Sequence, residues 1–190
     1  MIRVYKEEET FNNINFAKTP LEKGEYENCA FTDCDFSEAD LSEIIFTGCD
    51  FNTCNLALAN ITKTAFQDVR FKDCKMLGLH FNDCNDFGLS FRFENCTLTH
   101  SSFYKMKIKN TRFKSCQLIE ADFALCDLSH VIFDNCDLNG AIFENSLLEK
   151  TDLRTAFNFT IDPENNKIKK AKFSMNNLSG LLSKYDILID

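Results

Sequence analysis

The chain has 190 residues, 44% of them hydrophobic, with 29 acids against 21 bases and a formal net charge of −8. Twenty Phe with no Trp, two Pro and six Gly fit poorly with a compact β domain, whose turns need Gly and Pro, and suit a solenoid in which each layer touches only its neighbours. No run of eighteen apolar residues is present to span a bilayer, and the acidic balance lacks the basic excess that holds nucleic acid directly.

Residues 1–10, MIRVYKEEET, are too charged for a secretory signal and are read as an N-terminal cap. The protein is expected in the cytoplasm, with no membrane partner and with its cysteines reduced.

From Phe11 every fifth residue is apolar: Phe11, Phe16, Leu21, Tyr26, Phe31, Phe36, Leu41, Phe46, Phe51, Leu56, Ile61, Phe66, Phe71, Met76 and Phe81. A period of five matches neither a helix nor an alternating strand. A second set lies two residues before each centre and is small, as in Cys29, Cys34, Ala39, Cys49, Cys54 and Ala59. Each five-residue unit therefore turns one large and one small side chain inward.

Between Phe81 and Phe93 the spacing is twelve, so two extra residues form a bulge near Asp86, Phe87 and Gly88. The period then resumes from Phe93 through Leu98, Phe103, Ile108, Phe113, Leu118, Phe123, Leu128, Phe133, Leu138, Phe143 and Leu148 to Leu153. All 28 centres are apolar, and Phe31, Phe51, Phe71, Phe113, Phe123 and Phe133 are expected in the core. The alternation of Phe with aliphatic residues after Phe93 points to four units per coil, with Phe stacked on two opposite walls.

Units such as CDFSE, ADLSE, CDFNT, ADFAL, CDLSH and CDLNG resemble the pentapeptide-repeat family, whose consensus is A(D/N)LXX. The resemblance covers residues 11 to 154. It implies an all-β, right-handed quadrilateral β-helix of about seven coils, a rod roughly 34 Å long at the interstrand spacing.

All ten cysteines fall at the small inward site, which predicts packing of small buried thiols. Cys34, Cys54 and Cys74, and separately Cys96, Cys116 and Cys136, are each twenty apart and should stack in trios. A CX4C pair lies on adjacent walls, away from the convergence that a tetrahedral zinc site requires, so no metal and no cofactor is expected. His80, His100 and His130 are read as surface residues. Carboxylates such as Asp33 and Asp35 sit on an open convex surface, and the glycines are isolated. No catalytic residue is assigned.

Charge comes in bands. Residues 24 to 62 hold eight acids and no base, and residues 115 to 149 hold seven: Glu120, Asp122, Asp127, Asp134, Asp137, Glu144 and Glu149. The second band amounts to about one charge per 1.2 Å of axis, against about 1.7 Å for duplex DNA. These side chains are expected to point outward as a partner-binding surface. Between the bands, residues 69 to 114 carry nine bases against four acids, and Arg70, Lys72, Arg92, Arg112 and Lys114 should form a stripe down one wall.

After Leu153 the period fails. Phe157, Phe159 and Ile161 alternate as a short strand before the turn Asp162-Pro163-Glu164-Asn165. Behind the N-cap Ser174, residues Met175, Leu178, Leu181, Leu182 and Tyr185 recur at helical spacing, predicting a short amphipathic α-helix. Residues 155–190 are read as a C-terminal cap that dimerises through Leu178, Leu181, Leu182, Tyr185, Ile187 and Leu188, with Ile189 extending the apolar run.

The blocks FTIDPENNKIKKAKFS and NNLSGLLSKYDILI look like the tails of the quinolone-resistance (Qnr-type) and microcin-protection members of the family. That resemblance implies an end-to-end homodimer and a DNA mimic that binds type II topoisomerases. The long projecting loops of Qnr-type proteins have no counterpart here. The residues themselves point to a non-catalytic rod that offers an acidic surface to a protein partner as a scaffold or regulator.

Overall fold

The computed structural model describes residues 3–185, 187 and 188. Eleven short strands run parallel throughout: β1 (Val4–Glu7), β2 (Thr10–Asn12), β3 (Gly24–Glu27), β4 (Ala30–Thr32), β5 (Ile45–Thr47), β6 (Asp50–Asn52), β7 (Ala65–Gln67), β8 (Val69–Lys72), β9 (Phe91–Glu94), β10 (Arg112–Lys114) and β11 (Ile132–Asp134). They form a right-handed four-sided β-helix of about seven levels.

Wall 1, centred on Phe11, is a seven-stranded sheet in the order β11-β10-β9-β8-β6-β4-β2. Wall 4, centred on Tyr26, is the four-stranded sheet β1-β3-β5-β7, so the N-terminal segment adds a strand to that wall. Walls 2 and 3 are built from single parallel bridges such as Asp35↔Asn55 and Asp40↔Asn60. Among the described residues no helix is long and apolar enough to cross a membrane.

The corners explain how a chain with few Gly and Pro turns so often. Two residues after nearly every centre the backbone enters the left-handed region, from Asn13 (φ 54°) and Asn28 (φ 51°) to Glu120 (φ 53°) and Asn145 (φ 53°). Asn and Asp tolerate this conformation, whereas Thr53 (φ 54°) and Leu58 (φ 57°) occupy it at a steric cost.

Inside, the large centres stack level upon level. Phe31, Phe51, Phe71, Phe113, Phe123 and Phe133 are all buried. On wall 1, Phe93, Phe113 and Phe133 stack at 5.0 and 5.2 Å between centroids. On the opposite wall 3, Phe81, Phe103, Phe123 and Phe143 do so at 4.7, 5.0 and 5.3 Å. Below the bulge the second aromatic column runs instead on the adjacent wall 4, where Phe46 stacks on Phe66 at 5.7 Å.

The small inward site is a donor site as well as a steric one. Cys49, Thr64, Ser146 and Thr151 each donate to the carbonyl oxygen of a centre 23 residues earlier, at 3.2, 2.8, 2.7 and 2.8 Å. Cys, Ser and Thr therefore interchange there because each is small and satisfies a buried acceptor.

The bulge lies on wall 4. Asn85 keeps the twenty-residue register with Ala65, while Phe91 stands opposite Val69 at twenty-two. Phe87 is turned out at 78% exposure. Phe91, at a position that elsewhere is small, is buried and packs on Phe81 and Phe93 at 5.5 and 5.0 Å, restoring apolar volume that the outward Phe87 does not provide.

The ladder outlasts the unbroken apolar run, with Ile168 and Phe173 packed on the core twenty residues after Leu148 and Leu153. Leu147 bridges Lys167 and Asp152 bridges Lys172, so a further, irregular level extends beyond Leu153. Residues 157–161 are accordingly not the expected strand: Phe157 is a single bridge to Asp137, Asn158 turns with φ 59°, and Phe159 and Ile161 are buried under the tail. The helix appears where expected, at Met175–Leu181 and Ser183–Tyr185, but it is 3₁₀ and not α. Such a short piece is held by its anchors: Gly180 gives its carbonyl to the Ile161 amide at 2.9 Å, and Asn177 Nδ2 donates to the Leu153 and Ala156 carbonyls.

Candidate interaction surfaces

A solid core of stacked side chains leaves function to the outer walls and the two ends. The cysteines belong to that core: nine are buried and Cys84, beside the bulge, is half-buried. Because the bulge shifts register by two before wall 1, the two expected trios join into one column, Cys34, Cys54, Cys74, Cys96, Cys116 and Cys136, each one residue before a wall 2 bridge. Burial pushes the Cys49 and Cys126 thiols up to about 12.

The acidic band is a ring and not a face. Asp134 lies on wall 1, Asp137 on wall 2, Asp122 and Glu144 on wall 3, and Asp127 and Glu149 on wall 4, with Glu120 at a corner. Duplex DNA also carries its charge around its whole circumference, so the linear comparison survives, but no single wall presents seven charges.

Three of the seven are engaged from the level below, Glu120 by His100 Nδ1 at 3.3 Å and two others by cations. Arg112 reaches Asp134 at 2.8 Å and holds its carboxyl below the usual range. Asp127 is only 9% exposed: its carboxylate accepts from Ser129 and meets Lys109 at 3.0 Å. Burial opposes its ionisation, and the Ser129 and Lys109 contacts outweigh it, leaving its pKa lowered. Asp127 therefore lies on the outer side of wall 4, between the inward Cys126 and Leu128, but is covered by its own contacts. Glu144 and Glu149 are exposed and make no ion pair among the described residues.

The basic stripe is in register. Arg70, Arg92 and Arg112 form one column of wall 1, and Lys72, Glu94 and Lys114 form a second. Together they line a shallow trough with Asp50 and Asn52.

At the far end, Leu181 packs on the core and Leu178 and Leu182 are half-buried against the rod, while Met175, Tyr185, Ile187 and Leu188 are exposed, the last at 98%. Ile189 lies outside the described residues. Lys184 clamps the helix to the preceding turn through Asp162 and Glu164 at 2.6 and 2.7 Å. Tyr185 Oη adds a bond to Glu164 at 2.8 Å. Phe157, Phe159, Leu182 and Ile187 line an open trough beside this tail.

A family model described as the pentapeptide repeat region matches residues 24–92, 44–109 and 89–181. No curated protein matches the chain. Among solved structures, full-length QnrB1, a plasmid-mediated fluoroquinolone resistance protein, aligns with a TM-score of 0.60 at 17% identity, covering 97% of this chain and 100% of that one. HetL, a pentapeptide repeat protein involved in heterocyst differentiation regulation from the cyanobacterium Nostoc sp. strain PCC 7120, aligns with a TM-score of 0.43 at 16% identity, covering 90% and 87%. At these identities the QnrB1 likeness is one of fold.

Proposed function

The chain belongs to the pentapeptide-repeat family, and from that premise we propose that it is a non-catalytic cytoplasmic rod presenting the acidic ring of its upper levels to a protein partner. The observation that carries this reading is the ring itself, with Glu144 and Glu149 free at its upper margin next to the tail. A packed interior offers a substrate no cleft, so recognition falls to outward side chains.

The tail supports a homodimer. Its exposed Met175, Tyr185, Ile187 and Leu188 continue into the trough lined by Leu182 and Ile187, and a second copy would cover both. End-to-end pairing sets two acidic rings about the centre. Asp127 and Asp134 meet Lys109 and Arg112, and the other five acids of the seven, ten per dimer, meet no Lys or Arg among the described residues. Leu182→Asp with Ile187→Asp is expected to give a folded monomer by light scattering; a wild type that is already monomeric at micromolar concentration refutes the dimer.

The more specific reading makes that dimer a DNA mimic held in the DNA-binding saddle of a type II topoisomerase. Two features favour it: a ring of charge about the rod, and a tail that resembles the Qnr-type members. The test is a supercoiling assay with the host's gyrase, with and without a fluoroquinolone. Wild type should inhibit or protect at micromolar dimer, lose this effect steeply with salt, and lose it in Asp122→Asn/Glu144→Gln/Glu149→Gln. If wild type has no effect, the topoisomerase reading falls and the general scaffold stands, to be pursued through its own partner.

A further inference from the structure

We propose that wall 1 between β8 and β10 is a docking surface for an extended acidic segment of a partner protein, whose alternate carboxylates are read by Arg70, Arg92, Arg112, Lys72 and Lys114. It adjoins the acidic ring at the Arg112–Asp134 pair and is opposite to it in sign.

Arg70, Arg92 and Arg112 stand opposite one another on adjacent parallel strands, which sets their backbones about 4.8 Å apart. Like charges placed directly across strands destabilise one another. Arg70 pairs with Asp50, the next member of the column, at 3.7 Å, while Arg92 and Arg112 reach outside the column to Asp68 at 3.5 Å and Asp134 at 2.8 Å. All three side chains are more than half exposed, so these contacts neutralise little. Lys72 makes no ion pair among the described residues, and Lys114 meets Glu94 at 2.9 Å. In a chain of net charge −8, this one trough gathers five cations.

The spacing selects the ligand. Arg70 and Lys72, like Arg112 and Lys114, are two residues apart on one strand, roughly 6.6 Å. Alternate side chains of an extended peptide lying along the strands have the same separation, so a segment with acids at every second residue meets both members of a pair. A uniform polyanion fits less well. Glu94 sits between the two lysines, and Asp50 and Asp134 close the ends of the trough, so an unbroken row of phosphates meets repulsion at three points. Phe71 and Phe93 are buried under this wall and offer no platform for stacking bases.

The test is fluorescence anisotropy at about 50 mM salt, where exposed charges are little screened, with a labelled (Glu-Ser)6 peptide, a (Lys-Ser)6 peptide and a twelve-nucleotide oligothymidine. Wild type should bind the acidic peptide at least tenfold more tightly than Arg70→Gln/Arg92→Gln/Arg112→Gln does. The variant Lys150→Gln/Lys169→Gln/Lys170→Gln, with the same loss of charge elsewhere, should bind like wild type, and Glu94→Gln should bind about threefold more tightly. Equal losses in the two triple variants would reduce the effect to net charge and overturn the proposal. So would tighter binding of the oligonucleotide, or of the basic peptide. If the arginine variant unfolds, the Glu94→Gln gain decides alone, and its absence is equally fatal.

Discussion

Gly180 lies against Phe159 so closely that a Cβ at 180 would press on the Phe159 carbonyl oxygen and stand 2.7 Å from two ring carbons. Helix propensity favours Ala over Gly by about 1 kcal/mol, and the packing here reverses that sign. Gly180→Ala should destabilise by about 1–3 kcal/mol, the usual cost of overfilling a packed site, read from urea denaturation. A stabilised variant would mean that the tail is not docked on Phe159.

Thr53 is exposed, β-branched and left-handed (φ 54°), a combination that costs on the order of 1 kcal/mol. Asn accepts that conformation without adding the chain entropy of Gly. Thr53→Asn should therefore raise stability by about 0.5–1 kcal/mol in the same measurement, whereas an unchanged or lowered midpoint would argue that the corner is not strained.

Phe91 occupies a site that is Cys49, Val69, Thr111 and Val131 on neighbouring levels, and judged by those neighbours Phe91→Ala should be harmless. Its burial beside the bulge says otherwise. We expect a loss of about 3–5 kcal/mol, as for other buried Phe→Ala changes, while Phe87→Ala, on the exposed tip, should leave stability within about 0.5 kcal/mol.

Lys184 holds the Asp162 and Glu164 carboxyls below their ordinary ranges. A lowered folded-state pKa means that the clamp contributes above about pH 4, the ordinary carboxylate range, and is lost as pH falls through the lowered values. Hydrogen exchange of the Ile161 amide, bonded to Gly180, should be unchanged by this clamp from pH 7 to 5 after correction for intrinsic rates, and faster below 4. Lys184→Met should show the faster exchange already at neutral pH. Protection that persists to pH 3 in wild type would leave the clamp without a role.

Much of this molecule could be read from the chain because one physical rule repeats: Phe113 and Phe133 are twenty residues apart and therefore stack, and Arg70, Arg92 and Arg112 fall in register once the two extra residues are counted. What could not be read is set by contacts off that lattice. The apolar period marks which residues turn inward but not the backbone conformation of the corners, so the left-handed Leu58 and Leu125 look like ordinary surface leucines. Counting acids along the axis assigns no wall to each, and so missed both the ring and the burial of Asp127. Helical spacing from Met175 to Tyr185 located the last element, yet it winds as 3₁₀, docked through Gly180 bonding Ile161 and lying against Phe159. The level past Leu153 does carry the period, in Ile168 and Phe173 twenty residues after Leu148 and Leu153, but Asn158 and Pro163 at the two intervening centre positions break the run and hide it.

The parallel ladder, with nearly every rung bond spanning about twenty residues, also governs how the protein can be made. A level cannot close until roughly one further level's worth of chain exists, but it needs nothing beyond that. Solenoids of this kind can nucleate locally and propagate by neighbour contacts, so levels nearer the N-terminus can consolidate while later ones are still being synthesised. At each moment the sticky part of the nascent chain is confined to the topmost level, whose aromatic floor stays bare only until the next twenty residues settle on it.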